Sequence, residues 1–367
     1  MRVDLVDPSA FTPPYDHALA TALTRAGADI RLVTSRFAYG AVAPAEGYEV
    51  NEHFYRRSVG APGSRQRRAA KLLEHVPDML TYRRLARATD VVHFQWLDVQ
   101  WLDAALLPER PVVLTAHDLL PREPEPGQAW AQRRLYRHVD AVVAHSDYGR
   151  RQLVNGLALD PERVHVIHHG AFEHLTRQPV EVPLPPDLAA VDQPVVLFFG
   201  LLRQYKGLTV LLEAWRGIAG AELWIVGMPR MPLEPLRALA GPSVRFVPRF
   251  ISDPEVAAFF RRADVVVLPY SRTERFDQSG VLATSLAFAK PTVLSDIGGF
   301  GELAATGAGR LVAPEKPRAL REAITGLLAD GDERARLGAA ARAAADGEYS
   351  WQRAADKTLA LYRTLVA

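Results

Sequence analysis

The sequence predicts an α/β protein built from two doubly wound domains, and three observations predict it. Short β-branched apolar runs alternate with longer helical patterns, the grammar of βα units that feed parallel sheets. The alternation stops at a proline-rich stretch and restarts beyond it. The chain has 367 residues, room for two cores at about 150 residues per domain.

In the first half, residues 3–6 read as a buried strand. Residues 16–26 read as a helix ending at Gly27, a residue suited to a C-cap. Strands follow over 29–34, 91–94, 112–116, 141–145 and 164–168, with helices over 66–85 and 128–137 among them. The second half opens with a strand over 195–199, a helix over 208–216 and a strand over 222–226. Further strands are expected over 244–246, 265–269, 292–295 and 310–312, with helices over 253–262, 280–289, 317–328 and 335–346. Between the halves, residues 172–194 carry prolines at 179, 183, 185, 186 and 194, which suits an exposed linker. The expected division is a domain over 1–171, a linker over 172–194 and a domain over 195–348. The cleft between two such domains is the default ligand site.

Composition excludes several classes. With 48% hydrophobic and 23% charged residues, the chain matches a soluble globular protein. The absence of cysteine removes disulfides, thiolate metal sites and a cysteine nucleophile. Residues 1–7 read as a first strand, not a signal peptide, and no apolar run of about 18 residues is present to span a membrane. The expected location is therefore cytoplasmic. A net charge of +2 argues against a nucleic-acid partner. Among the cations, 39 are arginine and 5 are lysine, so each lysine is informative.

The strongest local signal is Phe198-Phe199-Gly200-Leu201-Leu202-Arg203-Gln204-Tyr205-Lys206-Gly207-Leu208. A buried strand ends at Gly200, and Gly207 opens a helix. Arg203 and Lys206 then lie where a strand's carboxyl end and a helix N-terminus favour an anion such as a diphosphate. A compact ammonium suits a point contact to a phosphate oxygen. A second strand-to-helix segment, 269–281, places Ser279, Gly280 and Val281 at a helix start. Backbone amides there approach an anion closely, and Ser279 also fits a plain N-cap.

With these residues in hand, the sequence resembles a retaining glycosyltransferase of the GT4 family, which has the GT-B fold of two Rossmann-like domains facing a cleft and uses nucleotide-sugar donors. The matching stretches are Phe199-Gly200 with Arg203-x-Tyr205-Lys206-Gly207, then Lys290-Pro291 with Asp296-Ile297-Gly298-Gly299 and Glu302, and Tyr349-Ser350-Trp351. The segment Val113-Leu114-Thr115-Ala116-His117-Asp118 resembles the family's strand followed by His-Asp. The resemblance implies that Arg203, Lys206 and the backbone at 279–281 hold the donor diphosphate. It implies that His117 contacts the donor sugar near the reacting carbon, and that residues 349–367 form a terminal helix packing back on the first domain. Arg249, Phe250 and Ile251 fall where the family contacts the base.

One departure is plain. Counting back from Lys290-Pro291, the family's two glutamates fall on Phe276 and Thr284. Asp277 is the favoured substitute carboxylate, with Glu274 as the other choice, and Thr284 stands at the ribose position. The implied reaction leaves developing charge on the β-phosphate, stabilised by cations and amides. No cofactor and no bound metal are required: no Asp-x-Asp motif occurs, and His168 and His169 point to opposite faces of a strand.

On the acceptor side, His93 and Trp96 are candidates, with Phe94, Leu97 and Trp101 as neighbouring apolar surface or core. Residues 54–87 hold nine basic and two acidic residues, a surplus of seven in a chain whose total is +2. Leucines interleave with these charges at helical spacing, which suits peripheral contact with an anionic membrane or an anionic soluble acceptor. The expected partners are a nucleotide-sugar donor and a sugar-containing or lipid-linked acceptor. Two other readings compete: a catalytically silent nucleotide- or glycan-binding protein, and a sugar-nucleotide epimerase on the same fold. A nicotinamide dehydrogenase is disfavoured, because no Gly-x-Gly-x-x-Gly follows a strand.

Overall fold

The computed structural model describes residues 1–367 except 43, 98, 122–125 and 179–181. It divides into two compact units. The first comprises Met1–His169, Arg275–Asp277 and Trp351–Ala367; the second comprises Gly170–Glu274 and Gln278–Ser350.

In the first unit the strands are β1 (Arg2–Asp7), β2 (Asp29–Ser35), β3 (Glu49–Phe54), β4 (Val91–Phe94), β5 (Val112–Thr115), β6 (Ala141–Ala144) and β7 (Val164–Val166). They form one parallel sheet in the order β3-β2-β1-β4-β5-β6-β7. The connecting helices are α1 (Pro13–Arg25), α2 (Arg65–Leu85), α3 (Gln100–Leu106), α4 (Gln128–His138) and α5 (Asp147–Arg151). Strands β4, β5 and β6 are buried along their whole length, as a parallel sheet covered on both faces requires. The sequence reading missed β3, whose Glu49, Glu52 and polar partners break apolar alternation. It is an edge strand, where charge is tolerated and blunts the open edge. Helix α1 starts three residues before its expected start, because Pro13 occupies the first turn, where a missing N–H costs nothing.

The second unit holds β8 (Val195–Phe199), β9 (Glu222–Val226), β10 (Val244–Val247), β11 (Val265–Leu268), β12 (Thr292–Ser295) and β13 (Gly309–Val312). Their order is β10-β9-β8-β11-β12-β13, again parallel. Its helices are α6 (Pro186–Ala189), α7 (Leu208–Trp215), α8 (Glu234–Leu239), α9 (Asp253–Arg262), α10 (Gly280–Ala287), α11 (Phe300–Ala305), α12 (Pro317–Ala329) and α13 (Gly331–Asp346). The last helix, α14 (Trp351–Val366), belongs to the first unit and packs on α1.

Residues 172–194 are not a free linker. Phe172, Leu175 and Leu188 are buried, and the Phe172 amide donates to the Ala283 carbonyl of α10. Three apolar side chains outweigh the prolines, so the stretch packs as part of the second unit. Pro179 lies outside the described residues.

In each sheet the strand order reverses once, between β1 and β4 and between β8 and β11. Loops at the carboxyl ends diverge at such a point and leave a crevice for ligand. Such loops are residues 7–12 and 95–96 in the first unit, and 200–207, 269–274 and 278–281 in the second.

Candidate functional site

In the second unit, β8 ends at Phe199, Gly200 follows at φ +105°, and a single 3-10 turn over Gln204–Lys206 leads to Gly207, at φ +70°. Backbone here passes too close for side chains. A Cβ on Gly207 would lie 1.8 Å from the Pro269 carbonyl oxygen, and one on Gly227 would lie 1.9 Å from that of Gly200. Glycine at 207 lets the β8 loop seat directly on the end of β11. We expect Gly207→Ala to cost more than about 2 kcal/mol, from backbone strain and steric clash together. Urea denaturation with an unchanged midpoint would contradict this packing.

The seated loop orients both cations. Lys206 is only 7% exposed, and its Nζ lies 5.2 Å from the centroid of the Tyr270 ring. A Cβ on Gly200 would stand 2.9 Å from that Nζ and 3.0 Å from Val281 Cγ2, so the ammonium rests over bare backbone beside the start of α10. Arg203 is half-buried, and its Nε is buried with no hydrogen-bond partner. An unmet guanidinium donor is costly unless a ligand completes it.

At the same end of the sheet, the Ser279 hydroxyl bonds the buried Tyr270 hydroxyl at 3.1 Å. Ser279 makes no side-chain cap to its own helix. Its carbonyl accepts from the amides of Leu282 and Ala283, so the first turn is formed. Among the described residues, no protein acceptor meets the amides of Gly280 and Val281. Two cations and a helix N-terminus therefore meet at the carboxyl ends of β8 and β11, an arrangement that stabilises an anion.

The remaining second-unit candidates are placed differently. Arg249 pairs with Glu255 at 2.6 Å and donates to the carbonyl of Phe250. Phe250 is exposed and Ile251 is buried. Thr284 lies inside α10, where its hydroxyl donates to the Gly280 carbonyl at 2.9 Å. These four form a helix-entry turn and a helix flank.

In the first unit, Asp7 ends β1 and shapes the loop behind it. Its carboxylate accepts from the amides of Ser9, Phe11 and Thr12 at 3.2, 2.6 and 3.1 Å. Asp16 is buried beside it, and burial next to a second carboxylate pushes its pKa well above the usual range. The shaped loop presents Thr12, whose hydroxyl accepts from Trp96 Nε1 at 2.9 Å. Trp96 in turn stacks on His117, with centroids 4.9 Å apart and planes at 14°. One face of the indole is thus taken by His117. Tyr15 meets the same imidazole edge-on at 4.6 Å.

Two expected roles are corrected here. His93 is buried, with Nδ1 at 2.6 Å from the Tyr362 hydroxyl and Nε2 at 2.7 Å from that of Thr115. Burial pushes its pKa down to about 3, so it is a neutral link among β4, β5 and α14 and does not face an acceptor. Asp277 is fully buried. One oxygen accepts from the His145 amide at 2.7 Å, the other from the Ser146 hydroxyl. A Cβ on Gly149 would touch the carboxylate at 2.5 Å, so glycine makes room for it. Asp277 is committed to the start of α5 and offers no surface to a substrate. Nearness in sequence to the turn at 279–281 suggested a shared role, but the carboxylate is taken up by His145 and Ser146 of the first unit, to which Arg275–Asp277 belong.

Two doubly wound parallel sheets, the second with a glycine-bounded basic loop at its switch point, define a class of α/β proteins that bind a phosphorylated ligand at strand ends. Comparison with known proteins narrows the class. Residues 193–330 match the family described as "Glycosyl transferases group 1", and residues 15–171 match "Glycosyltransferase Family 4". A D-inositol 3-phosphate glycosyltransferase of Xylanimonas cellulosilytica is 32% identical over 74% of this chain and 71% of its own length. The alpha-maltose-1-phosphate synthase of Mycolicibacterium smegmatis is 29% identical over 72% of this chain and 76% of its own length. Among solved structures, sucrose-phosphate synthase of Thermosynechococcus elongatus superposes with a TM-score of 0.76 at 18% identity, covering 100% of this chain and 99% of that one. Anabaena HepE in complex with UDP-glucose superposes with a TM-score of 0.74 at 19% identity, covering 98% and 100%.

The chain belongs to glycosyltransferase family 4, with the GT-B architecture of two Rossmann-like sheets, and it is a glycosyltransferase. The silent-binder and epimerase readings are not favoured by these relatives. No helix among the described residues is long and apolar enough to cross a membrane.

Proposed function

We propose that the chain transfers a sugar, with retention, from a nucleoside-diphosphate sugar to a hydroxyl of a sugar or phosphosugar. The observation that carries this reading is the unmet Arg203 Nε beside a loop that also holds buried Lys206, at the carboxyl end of β8. Departure of the nucleoside diphosphate gathers negative charge on the β-phosphate. The Lys206 ammonium, the Arg203 guanidinium and the Gly280 and Val281 amides stabilise that charge as it forms. In this reading His117 contacts the donor sugar. Thr284 and residues 249–251 remain candidates for the nucleoside, through backbone contacts in the case of the turn. Cytoplasmic location belongs to the same proposal. A phosphosugar acceptor is supported by the names of the relatives above and by the cationic surplus of residues 54–87.

A thermal-shift series with UDP, GDP, ADP and dTDP tests the donor half. One of them raises the midpoint by mass action, and Arg203→Gln reduces that shift. A uniform absence of shift removes the support for a nucleotide donor.

A second reading concerns the acceptor. Leu72, Leu73 and Leu80 on α2 are 59, 81 and 44% exposed among arginines, which favours peripheral contact with an anionic membrane and a lipid-linked acceptor. Co-sedimentation with phosphatidylglycerol vesicles, lost in Leu73→Ser, supports it. Recovery of all protein in the supernatant opposes it.

A further inference from the structure

From the hydrogen-bond roles around His117, we infer that His145 is a positioning residue that locks the His117 imidazole in its Nδ1–H tautomer, leaving Nε2 as the only nitrogen through which that ring exchanges protons or hydrogen bonds with a ligand. The inference rests on the proposed role of His117 for its relevance to transfer, but its geometry stands apart from that role.

His145 follows β6 and is buried, with Nδ1 at 3.0 Å from the Ile167 carbonyl oxygen. A carbonyl only accepts, so His145 Nδ1 carries the hydrogen. Burial, aided by the neighbouring His169, pushes its pKa down to about 3. His145 is therefore neutral in ordinary buffers, and its Nε2 bears a lone pair. That lone pair lies 3.3 Å from His117 Nδ1. Only a donor satisfies it, so His117 Nδ1 carries a hydrogen as well.

On its other side, His117 Nε2 lies 3.3 Å from the Gln95 side-chain oxygen, while Gln95 Nε2 is buried without a partner. Carboxamide nitrogen and oxygen are nearly interchangeable in shape. Turned by half a rotation, Gln95 donates to a neutral His117 Nε2; as placed, it accepts from an imidazolium. Gln95 thus serves either charge state, whereas His145 permits only a protonated Nδ1. Trp96 beneath the ring and Tyr15 at its edge hold it in plane. Titratable groups beside the pair include His93 on β4, His168 and His169 after β7, Tyr15 on α1, whose ring meets both imidazoles, and Asp277, whose carboxylate accepts from the His145 amide. His168 Nδ1 is tied to the His145 carbonyl at 2.9 Å, which supports the same strand ends.

Nitrogen-15 NMR of histidine-labelled protein, with His117 assigned through a His117→Gln variant, reads the tautomer directly at a pH above the usual imidazole range. The wild type shows His117 protonated at Nδ1. In His145→Leu the acceptor is gone, and the population moves toward Nε2–H. In His145→Gln a carbonyl acceptor is restored and the wild-type tautomer returns, which also covers the case in which the leucine variant does not fold. Transfer follows the tautomer: kcat of His145→Leu falls by on the order of tenfold to a hundredfold with donor KM little changed, and His145→Gln recovers. An Nε2–H tautomer in the wild type, or an unaltered tautomer in His145→Leu, overturns the inference. If His117→Ala transfers normally while the tautomer behaves as described, the role of His117 in the reaction fails and the positioning by His145 stands.

Discussion

Replacing Lys206 with alanine lowers kcat by on the order of 10²–10³-fold, about 3–4 kcal/mol of transition-state stabilisation, with the protein still folded. The size follows from where the charge sits. The ammonium is almost wholly buried, over the Gly200 backbone and facing the Tyr270 ring, on a loop whose conformation glycine at 207 permits. A cation held in a low-dielectric site, already oriented, loses nothing to reorganisation as charge grows on the leaving phosphate. Arginine does not substitute. A planar fork needs more room than a position 2.9 Å from where a Gly200 Cβ would stand. We therefore expect Lys206→Arg to recover less than a tenth of the lost rate. Initial-rate kinetics at saturating donor, alongside thermal unfolding to verify the fold, decide the matter. Wild-type turnover in Lys206→Ala would remove the diphosphate site from this loop.

The loop that carries Lys206 was legible in the sequence for a physical reason. A strand of β-branched and aromatic residues, a glycine at each end of a short loop and a rare lysine between them leave few alternative structures. The sheets were legible for the same reason: VVHF, VVLT and VVVL are buried on both faces and read as such. Strand β3 was not, because an edge strand need not be apolar. The linker was misread because prolines report local stiffness, whereas the packing of Phe172, Leu175 and Leu188 is a tertiary matter. His93 was misread for a related reason. A histidine in an apolar strand looks like a functional exception until hydroxyls on β5 and α14, 22 and 269 residues away in sequence, are seen to satisfy it. Gln95, Tyr15 and His145 carried no motif. Their roles arise from the convergence of α1, β4, β5 and β6 at one end of the sheet, which periodicity cannot reveal.

Asp277 makes the sharpest distinction between a carboxylate that reacts and one that builds. Asp277→Ala removes the acceptor for the His145 amide and the Ser146 hydroxyl and leaves both donors buried without it. At about 1.5–3 kcal/mol for each hydrogen bond to a charged group, the loss is roughly 3–6 kcal/mol of stability, readable as a lower urea midpoint. Asp277→Asn behaves differently. Its carbonyl oxygen still accepts from the His145 amide, and its NH₂ donates to Ser146 Oγ, because a hydroxyl can exchange roles. The asparagine variant should then lose only about 1 kcal/mol. Kinetics separate the two interpretations cleanly. If Asp277 is structural, folded Asp277→Asn transfers within a few-fold of wild type, and activity across the series tracks the folded fraction. A reacting carboxylate gives the opposite pattern: Asp277→Asn folds well, yet its kcat drops as far as that of the alanine variant, because an amide neither takes up a proton nor stabilises a cation. That outcome would return Asp277 to the chemistry and would require its buried oxygens to become accessible to substrate.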